Sequence, residues 1–541
     1  MNNIYKNITK KIRLIELFSG YGSQYIALRR ITDNCESYKI SEWCISSNSS
    51  YKAMLEVVDK KYDNYDYSEK YTDKEIINKL INLGLSVDSK NPINEKFLKR
   101  KGINWCRKVF NEYISTNNLG NITNIKAKDL KIIDKDIYSY IMTYSFPCQD
   151  LSLAGRQAGM CKGSNTRSGL LWEVERLLQE SIDNNLELPN VLLMENVPQV
   201  CNKKNEKDFN EWKEFLENTG YKNFVKILNA SDFGIPQNRK RCFMVSILTD
   251  KNITYNFPET IPLTKCVKDI LEPFVDEKYY IKNDKANELI KSLLERQALT
   301  EERLLNRGSN TVIEEKVKQL GNILEENSFK NSQCKKVYDS NTYSGGNHEP
   351  KIIDMTIAAM RGRPIDNPNL RQAGLPTKQR LELNEKGVSN AITTVQKDNI
   401  VLERTIYDDY NGNIPNNQNV IGTITQTCGN NALRNGKKII EKIGQISNKG
   451  SQCGTVVSDN GIFPTIVAGC HGYANPHICT DIHYNIYRIR RLTPKECGRL
   501  MDVDDKIIDA FSEIHSDSTL YKQFGNSIVV SVLCEILKKL L

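Results

Sequence analysis

Apolar residues in the first half of the chain fall in short runs separated by amphipathic stretches. Ile12-Arg13-Leu14-Ile15-Glu16-Leu17-Phe18 predicts a short buried strand, Ser19-Gly20-Tyr21-Gly22-Ser23 a glycine turn, and Gln24 to Arg30 a helix. Strand, glycine turn and helix are the opening of a doubly wound α/β domain. Further strands are predicted around Tyr38–Trp43, Tyr140–Phe146, Val191–Met194 and Cys242–Ile247, with helices over Gly169–Ser181 and Phe209–Asn218 between them. Lysine- and asparagine-rich sequence from about Ala53 to Leu119 interrupts the rhythm and reads as a solvated helical insertion.

Beyond Pro262 the pattern changes. Asp284–Leu324 reads as a charged helix, and a long Asn-, Gly-, Thr- and Gln-rich region follows to about His483. Four fragments in it resemble one another: Met355–Ala358, Ala391–Thr394, Gly422–Thr425 and Pro464–Val467. Short β-branched runs of this kind predict hairpin strands. Leu492-Thr493-Pro494-Lys495-Glu496 carries a capping box with proline in the first turn, and a last helix is predicted over Ser527–Leu540. The expected organisation is a catalytic and cofactor domain over 1–262, a second, β-rich domain over 263–486, and a segment over 487–541 returning to the first.

Length agrees with this division, since 541 residues exceed one ordinary domain. No apolar run approaches a membrane span, and Met1-Asn2-Asn3-Ile4 lacks the layout of a signal peptide. The expectation is a cytoplasmic protein with no membrane partner. A formal charge of +9 suits a polyanionic partner without identifying one. The 15 scattered cysteines are expected to be reduced, most of them small core residues. Cys470, His471, His477 and Cys479 cluster, but their spacing fits no paired-ligand template, so no metal is expected.

Three fragments carry chemistry. In Ser145-Phe146-Pro147-Cys148-Gln149 a thiol follows an apolar strand and a rigid proline, ahead of a loop holding Gly155, Gly159, Gly163 and Gly169. A sulfur there suits addition to an electron-poor ring carbon, although a buried structural cysteine has the same local pattern. Glu195, ending the run Val191-Leu192-Leu193-Met194, is poorly placed for solvation and should hold its proton, unless it caps a helix or pairs with a base. In Gln237-Asn238-Arg239-Lys240-Arg241, alternation puts Arg239 and Arg241 on one face, where an arginine could bond a pyrimidine oxygen; a solvated basic patch reads alike. Ahead of these, Glu42 lies about 20 residues beyond Gly20-Tyr21-Gly22, where an acidic side chain accepts ribose hydroxyls in this architecture. Trp43 beside it offers a flat face to an adenine. An adenosine-bearing cofactor such as S-adenosylmethionine fits, as does an ordinary α/β turn with a surface glutamate.

Taken in order, these fragments resemble the cytosine-5 DNA methyltransferase family of bacteria and phages. Phe18-Ser19-Gly20-Tyr21-Gly22 is similar to its first cofactor motif and Glu42-Trp43 to its second. Pro147-Cys148-Gln149 matches the nucleophile motif, Glu195-Asn196-Val197 the proton-donor motif, and Gln237 to Arg241 the Gln-x-Arg-x-Arg motif. Arg491–Leu500 resembles the ninth motif and Gln523-Phe524-Gly525-Asn526-Ser527 the tenth. Ser23 stands where the family has a second glycine, Asn121 where it often has aspartate, and Met501-Asp502 for the commoner Met-Gly.

The resemblance implies a DNA (cytosine-5)-methyltransferase that acts on a cytosine flipped from a specific duplex sequence. Cys148, Glu195, Arg239 and Arg241 are then catalytic. Phe18, Ser19, Gly20, Gly22, Glu42, Trp43, Asn121, Ile122, Pro147, Leu170, Asn526 and Ser527 are expected to hold S-adenosyl-L-methionine. Gln149, Ser152, Arg156 and Gln237 are expected at the DNA. The second domain would recognise the target, with Arg361, Arg363, Gln396, Lys397 and Asn430 as base-reading residues, although any one of them could equally be a phosphate contact. The expected partner is double-stranded DNA, the expected state a monomer, and a cognate restriction endonuclease, if there is one, lies on another chain. The rivals are a transfer-RNA methyltransferase of the same fold, disfavoured by the large second region, and a catalytically dead DNA-binding regulator, disfavoured by the intact Cys148, Glu195 and Arg241.

Overall fold

The computed structural model describes residues 10–60, 65–148, 150–151, 159–164, 166–265, 269–280 and 487–541; between these it describes 355–365, 375–383, 389–391, 400–404, 407–408, 437–438, 442–445, 455–458 and 477–479. Two compact units result: Met1–Ile270 with Asn390–Gln396 and Thr493–Leu541, and Leu271–Ser389 with Lys397–Leu492.

The first unit is built on a six-stranded sheet of β1 (Lys11–Leu17), β2 (Cys35–Ser41), β3 (Tyr138–Tyr144), β4 (Val191–Asn196), β5 (Tyr221–Asn229) and β6 (Lys240–Leu248), in the order β2-β1-β3-β4-β6-β5. β1 to β4 run parallel and β6 is antiparallel to both its neighbours, so the sheet is mixed but mainly parallel. Every residue of β4 is buried, as befits a strand covered on both faces. β5 has no counterpart among the predicted strands. It is an edge strand, and Lys222 and Lys226 break up its apolar pattern.

Helices α1 (Ser23–Arg29), α6 (Leu171–Asp183) and α7 (Glu206–Asn218) follow β1, β3 and β4. Trp212 of α7 is fully buried and donates its indole N–H to the Tyr144 hydroxyl at 3.1 Å, so a large apolar side chain keeps its polar atom satisfied.

Between β2 and β3 lie α2 (Ile45–Val58), α3 (Asp73–Asn82), α4 (Glu95–Lys101) and α5 (Ile103–Ser115). The expectation of a solvated excursion does not hold. Ile76, Leu80, Leu98, Cys106, Val109, Phe110 and Tyr113 form a buried core of their own, which the high lysine content on the outer faces obscures in the sequence. At the C-terminus come α8 (Pro494–Leu500), α9 (Asp505–Ile514), α10 (Asp517–Asn526) and α11 (Val530–Leu540). The capping box is present: Glu496 N–H donates to Thr493 Oγ1 at 3.1 Å, and Thr493 N–H to the Glu496 carboxylate at 2.8 Å. Asn526 ends α10, so the last helix starts three residues later than predicted.

In the second unit β7 (Met355–Pro364), β8 (Thr377–Leu383), β9 (Ile400–Arg404) and β10 (Tyr487–Arg491) form an antiparallel sheet in the order β10-β9-β7-β8. β10 pairs with β9 from Ile400↔Arg491 to Arg404↔Tyr487, so the C-terminal return begins at Thr493 rather than 487, and the second unit starts at Leu271 rather than 263. The predicted helix over 284–324, the fragments Gly422–Thr425 and Pro464–Val467, most of Ala391–Thr394, and Cys470 and His471 lie outside the described residues. Among the described residues no cluster of three or more His, Cys, Asp or Glu could hold a metal, and no helix is long and apolar enough to cross a membrane.

Candidate active site

Chain direction decides where a site can form. β1 is flanked by β2 on one side and β3 on the other, so the chain leaves its C-terminal end in opposite directions, and Leu17 lies in register with Tyr144. In open α/β sheets this switch point is where ligands bind. Phe18–Gly22 and Ser145–Cys148 leave the sheet side by side there, around a cavity of about 680 Å³, which falls within the roughly 300–1,000 Å³ of small-molecule sites.

The turn after β1 needs its glycines. Phe18, Gly20 and Gly22 all have left-handed backbones, with φ of 60°, 57° and 90°. A Cβ on Gly22 would sit 2.4 Å from the Met54 side chain and 2.8 Å from the Tyr51 ring, so this glycine lets α2 close in beneath the turn. Glu42, past the end of β2, is almost fully buried. Gly20 N–H donates to its Oε2 at 3.0 Å and Cys44 N–H to its Oε1 at 2.7 Å. Burial pushes its carboxyl up to about 7, opposed by those two N–H groups.

The helical insertion fixes the backbone of Glu42. Tyr113 of α5 donates to the Glu42 carbonyl at 3.1 Å and Asn118 Nδ2 to the same oxygen at 3.0 Å, while Glu42 N–H donates to Asn118 Oδ1 at 3.1 Å. A segment expected to be peripheral therefore aims the carboxylate.

The opposite end of the cavity is made by strand ends. Asn196 Nδ2 donates to the Phe146 carbonyl at 3.0 Å and Ser168 Oγ to the Pro147 carbonyl at 2.7 Å, which ties the turn carrying Cys148 to β4 and to the start of α6. Glu195 Oε1 lies 3.1 Å from Arg241 Nε, with both side chains largely buried. Burial raises the Glu195 carboxyl, and the two arginines only partly offset it. The Cys148 thiol is likewise raised, first by burial; Arg241 and Arg239 pull it down and Glu195 pushes it up. Burial thus favours the thiol over the thiolate.

Arg239 differs from Arg241. It is 3% exposed and its Nη2 donates to the carbonyls of Gly525 and Ser527 at 3.1 and 2.6 Å. Both carbonyls belong to the C-terminal return, so Arg239 is placed to hold that segment against the sheet. Gln237 corrects an expectation. It is fully buried and its amide donates to the Leu500 carbonyl at 2.7 Å, so it packs α8 rather than meeting DNA.

The cavity brings together Phe18, Ser19, Gly20, Glu42, Trp43, Asn121, Ile122, Pro147, Leu170, Asn526 and Ser527 with Cys148, Glu195, Arg239 and Arg241; Gly22 stands behind the turn and does not line it. In the second unit Arg363 forms a bidentate pair with Glu382, and Arg361 Nε lies 3.8 Å from the same carboxylate. A guanidinium held that way on β7 is poorly free to read a base. Gln149, Ser152, Arg156, Gln396, Lys397 and Asn430 lie outside the described residues. The sequence reading missed Ser46, Ser89, Lys90, Asn91, Arg167, Thr519, Lys522 and Gln523, which also line the cavity. Lys522 adjoins the tenth motif and Gln523 opens it, and the turn residues of Asp88-Ser89-Lys90-Asn91-Pro92 were a further signal.

These residues fit an adenosine-bearing cofactor. Glu42 offers carboxylate lone pairs, Trp43 a half-buried ring, and Ser19 a buried hydroxyl with no hydrogen-bond partner in the protein, facing the cavity.

Comparison with known proteins agrees with this geometry. The model of C-5 cytosine-specific DNA methylase matches residues 80–364 and 354–541. The orphan methyltransferase M.SssI of Spiroplasma monobiae is 40% identical over 282 residues, covering 51% of this chain and 69% of the relative. The type II methyltransferase M2.ScrFI of Lactococcus lactis subsp. cremoris is 38% identical over 281 residues, 51% of this chain and 72% of its own. The orphan methyltransferase M.SPRI of Bacillus phage SPR is 28% identical over 457 residues, 78% and 86% of the two chains. The matched residues include Cys148, Glu195, Arg239 and Arg241, which line the cavity, and the chain belongs to the C-5 cytosine-specific DNA methylase family.

Proposed function

We propose that the chain methylates carbon 5 of a cytosine flipped out of a specific duplex DNA sequence, through a covalent adduct on Cys148. One observation carries this reading. Cys148, Glu195 and Arg241 stand in the same cavity as Glu42, Trp43 and the glycine turn, so a pyrimidine and an adenosine-bearing donor can meet there.

The roles follow from the environments of the side chains. Cys148 loses its proton and forms a bond from sulfur to ring carbon 6, which makes carbon 5 electron-rich. Glu195, whose proton affinity burial raises, donates from its protonated form to ring nitrogen 3 and so neutralises charge that develops on the ring. Arg241 directs its positive charge at the same site, holding the exocyclic oxygen and favouring the thiolate. Arg239 is a positioning residue that keeps the 525–527 backbone at the cavity. When bound, S-adenosylmethionine supplies an electrophilic methyl group, and Glu42, Trp43, Ser19 and Asn526 are the residues that would hold it. Once carbon 5 is alkylated, loss of its proton breaks the bond between carbon 6 and sulfur and frees Cys148. Flipping costs a few kcal/mol of unstacking, which contacts in the cavity offset.

The second unit is proposed to recognise the target, with the protein acting as a monomer in the cytoplasm of a bacterial or phage-infected cell, in a restriction-modification or orphan setting. Bisulfite sequencing of DNA from cells making the chain, beside cells making Cys148→Ala, tests the reading. Protected cytosines confined to one short motif, and lost with the variant, are the expected result. Absence of protection from a folded chain that binds S-adenosylmethionine would turn the assignment toward RNA.

A further inference from the structure

The helical insertion contributes more to the cavity than support for Glu42. Its turn between α3 and α4, residues 86–91, is bonded edge-on to the segment that carries Trp43. Ser86 N–H donates to the Trp43 carbonyl at 2.7 Å, and Ile45 N–H to the Ser86 carbonyl at 2.9 Å. Within the turn Asp88 Oδ1 accepts the N–H groups of Lys90 and Asn91 at 2.8 and 2.9 Å, and Ser86 Oγ accepts that of Ser89 at 3.0 Å. So constrained, the turn presents Ser89, Lys90 and Asn91 to the cavity.

A cation from a distant part of the chain fastens the turn. Lys522 of α10 donates to Ser89 Oγ at 2.9 Å and lies 3.5 Å from the Asp88 carbonyl. Its charge also acts on the buried Glu42 carboxylate, lowering its proton affinity. One turn of helix beyond Lys522, Asn526 and Ser527 line the same cavity. Gln523 secures α10 to α2, accepting from Ser50 Oγ at 2.8 Å and donating to the Ser46 carbonyl at 3.1 Å. The Glu42–Trp43 end is thus walled by three segments far apart in sequence: the end of β2, the insertion turn and α10.

We propose that the 86–91 turn and Lys522 form the outer wall of the adenosine subsite, with Lys522 as a positioning residue that sets how tightly the cofactor is held. This rests on the cofactor reading above. The wall has no part in bond making, because Cys148, Glu195 and Arg241 occupy the other end of the cavity. Loss of Lys522 should therefore weaken ground-state and transition-state binding alike, which raises KM and leaves kcat in place.

The test is calorimetric binding of S-adenosylhomocysteine and of 5′-methylthioadenosine, which lacks the amino-acid end, to the full chain and to Lys522→Ala, Lys522→Arg and Ser89→Ala. With Lys522→Ala both ligands should bind about tenfold more weakly, by the uniform-binding argument, and KM for S-adenosylmethionine should rise by the same factor. Lys522→Arg should restore most of the affinity, and Ser89→Ala should lose a smaller part of it. The melting temperature of each unliganded variant, compared with the parent, separates a lost contact from a lost fold. A loss limited to S-adenosylhomocysteine would overturn the wall, because it would place Lys522 at the amino-acid end. Unchanged binding of both ligands would overturn it as well, while leaving the cofactor reading intact. Failure of the parent chain to bind either ligand would overturn both.

Discussion

The two ends of the cavity are held in different ways. At the Cys148 end, ionisable groups are packed together out of water: Glu195 and Arg241 form a largely buried pair, Arg239 is fully buried, and the thiol stands among them. Each shifts its neighbours' proton affinities, so the chemistry is set by charge. At the Glu42 end most contacts are made by backbone: Gly20 and Cys44 N–H groups on the carboxylate, and Asn118 on the Glu42 peptide. These hydrogen bonds fix the position of Glu42, and the two N–H groups also lower the proton affinity of its carboxyl. Substitutions at the first end should therefore act on the chemical step, and substitutions at the second on binding or on folding.

The largest effect is expected at the charged end. Glu195→Gln keeps the shape of the side chain and its burial but removes the proton it can transfer. Its kcat should fall by about 10²–10⁴-fold, the range for a positioned general acid. Affinity for S-adenosylhomocysteine should stay within about twofold, since Glu195 makes no uniform binding contribution there. Rapid-quench measurement of single-turnover methyl transfer, beside calorimetry, separates the two. A variant that lost cofactor affinity and kept its rate would reverse the division between the ends.

Beneath the glycine turn the expected consequence is on stability. Glu16 of β1 is fully buried, takes a hydrogen bond from the Tyr51 hydroxyl, and has an Oε1 with no partner. Burial pushes its carboxyl up to about 8. A carboxyl raised in the folded state keeps its proton there when the unfolded chain has already released it. Its contribution is complete below the unfolded value, near 4.5, and is lost as pH rises through about 8. Denaturant titrations should show the parent losing roughly 2–4 kcal/mol between mildly acidic and mildly alkaline pH at this one site. Glu16→Gln should flatten that part of the curve. An equally steep decline in the variant would place the titration elsewhere.

The charged end was also the more legible of the two in sequence. Cys148, Glu195 and Arg241 each sit where an apolar run meets a turn, and strand ends in a parallel sheet converge on one edge, so a linear pattern carried three-dimensional information. The protonation of Cys148 was less so, since it depends on burial outweighing the arginines, which no linear pattern displays. The Glu42 end was only half visible. Gly20, Glu42 and Trp43 announce themselves locally, but Asn118 reaches Glu42 across 76 residues and Lys522 reaches Ser89 across 433. Nothing in a lysine-rich helical stretch says which of its turns will meet another element. β5 escaped notice for a related reason, since an edge strand with one wet face lacks the apolar run that marks its neighbours. Gln237 misled in the opposite sense, because a polar residue inside a basic fragment suggests a surface, whereas its amide is spent on the Leu500 carbonyl.

The smallest predicted effect is the most discriminating. Arg241 lowers the proton affinity of both Cys148 and Glu195, while burial raises both. Arg241→Gln removes that positive charge, so the thiol should ionise at higher pH and Glu195 should stay protonated to higher pH. The proposed reaction needs the first deprotonated and the second protonated, so both limbs of the pH–rate profile should move in the alkaline direction together. Lys522→Ala removes the same charge from the far end of the cavity and should leave the limbs where they are while raising KM. Single-turnover rates across the neutral to alkaline range, at saturating cofactor, would show this. Equal movement of the limbs in both variants would mean that the cavity responds to net charge alone and that its two ends are one electrostatic site. Movement confined to Arg241→Gln would assign reactivity to the strand ends and retention to the turn and the helix that wall the other side.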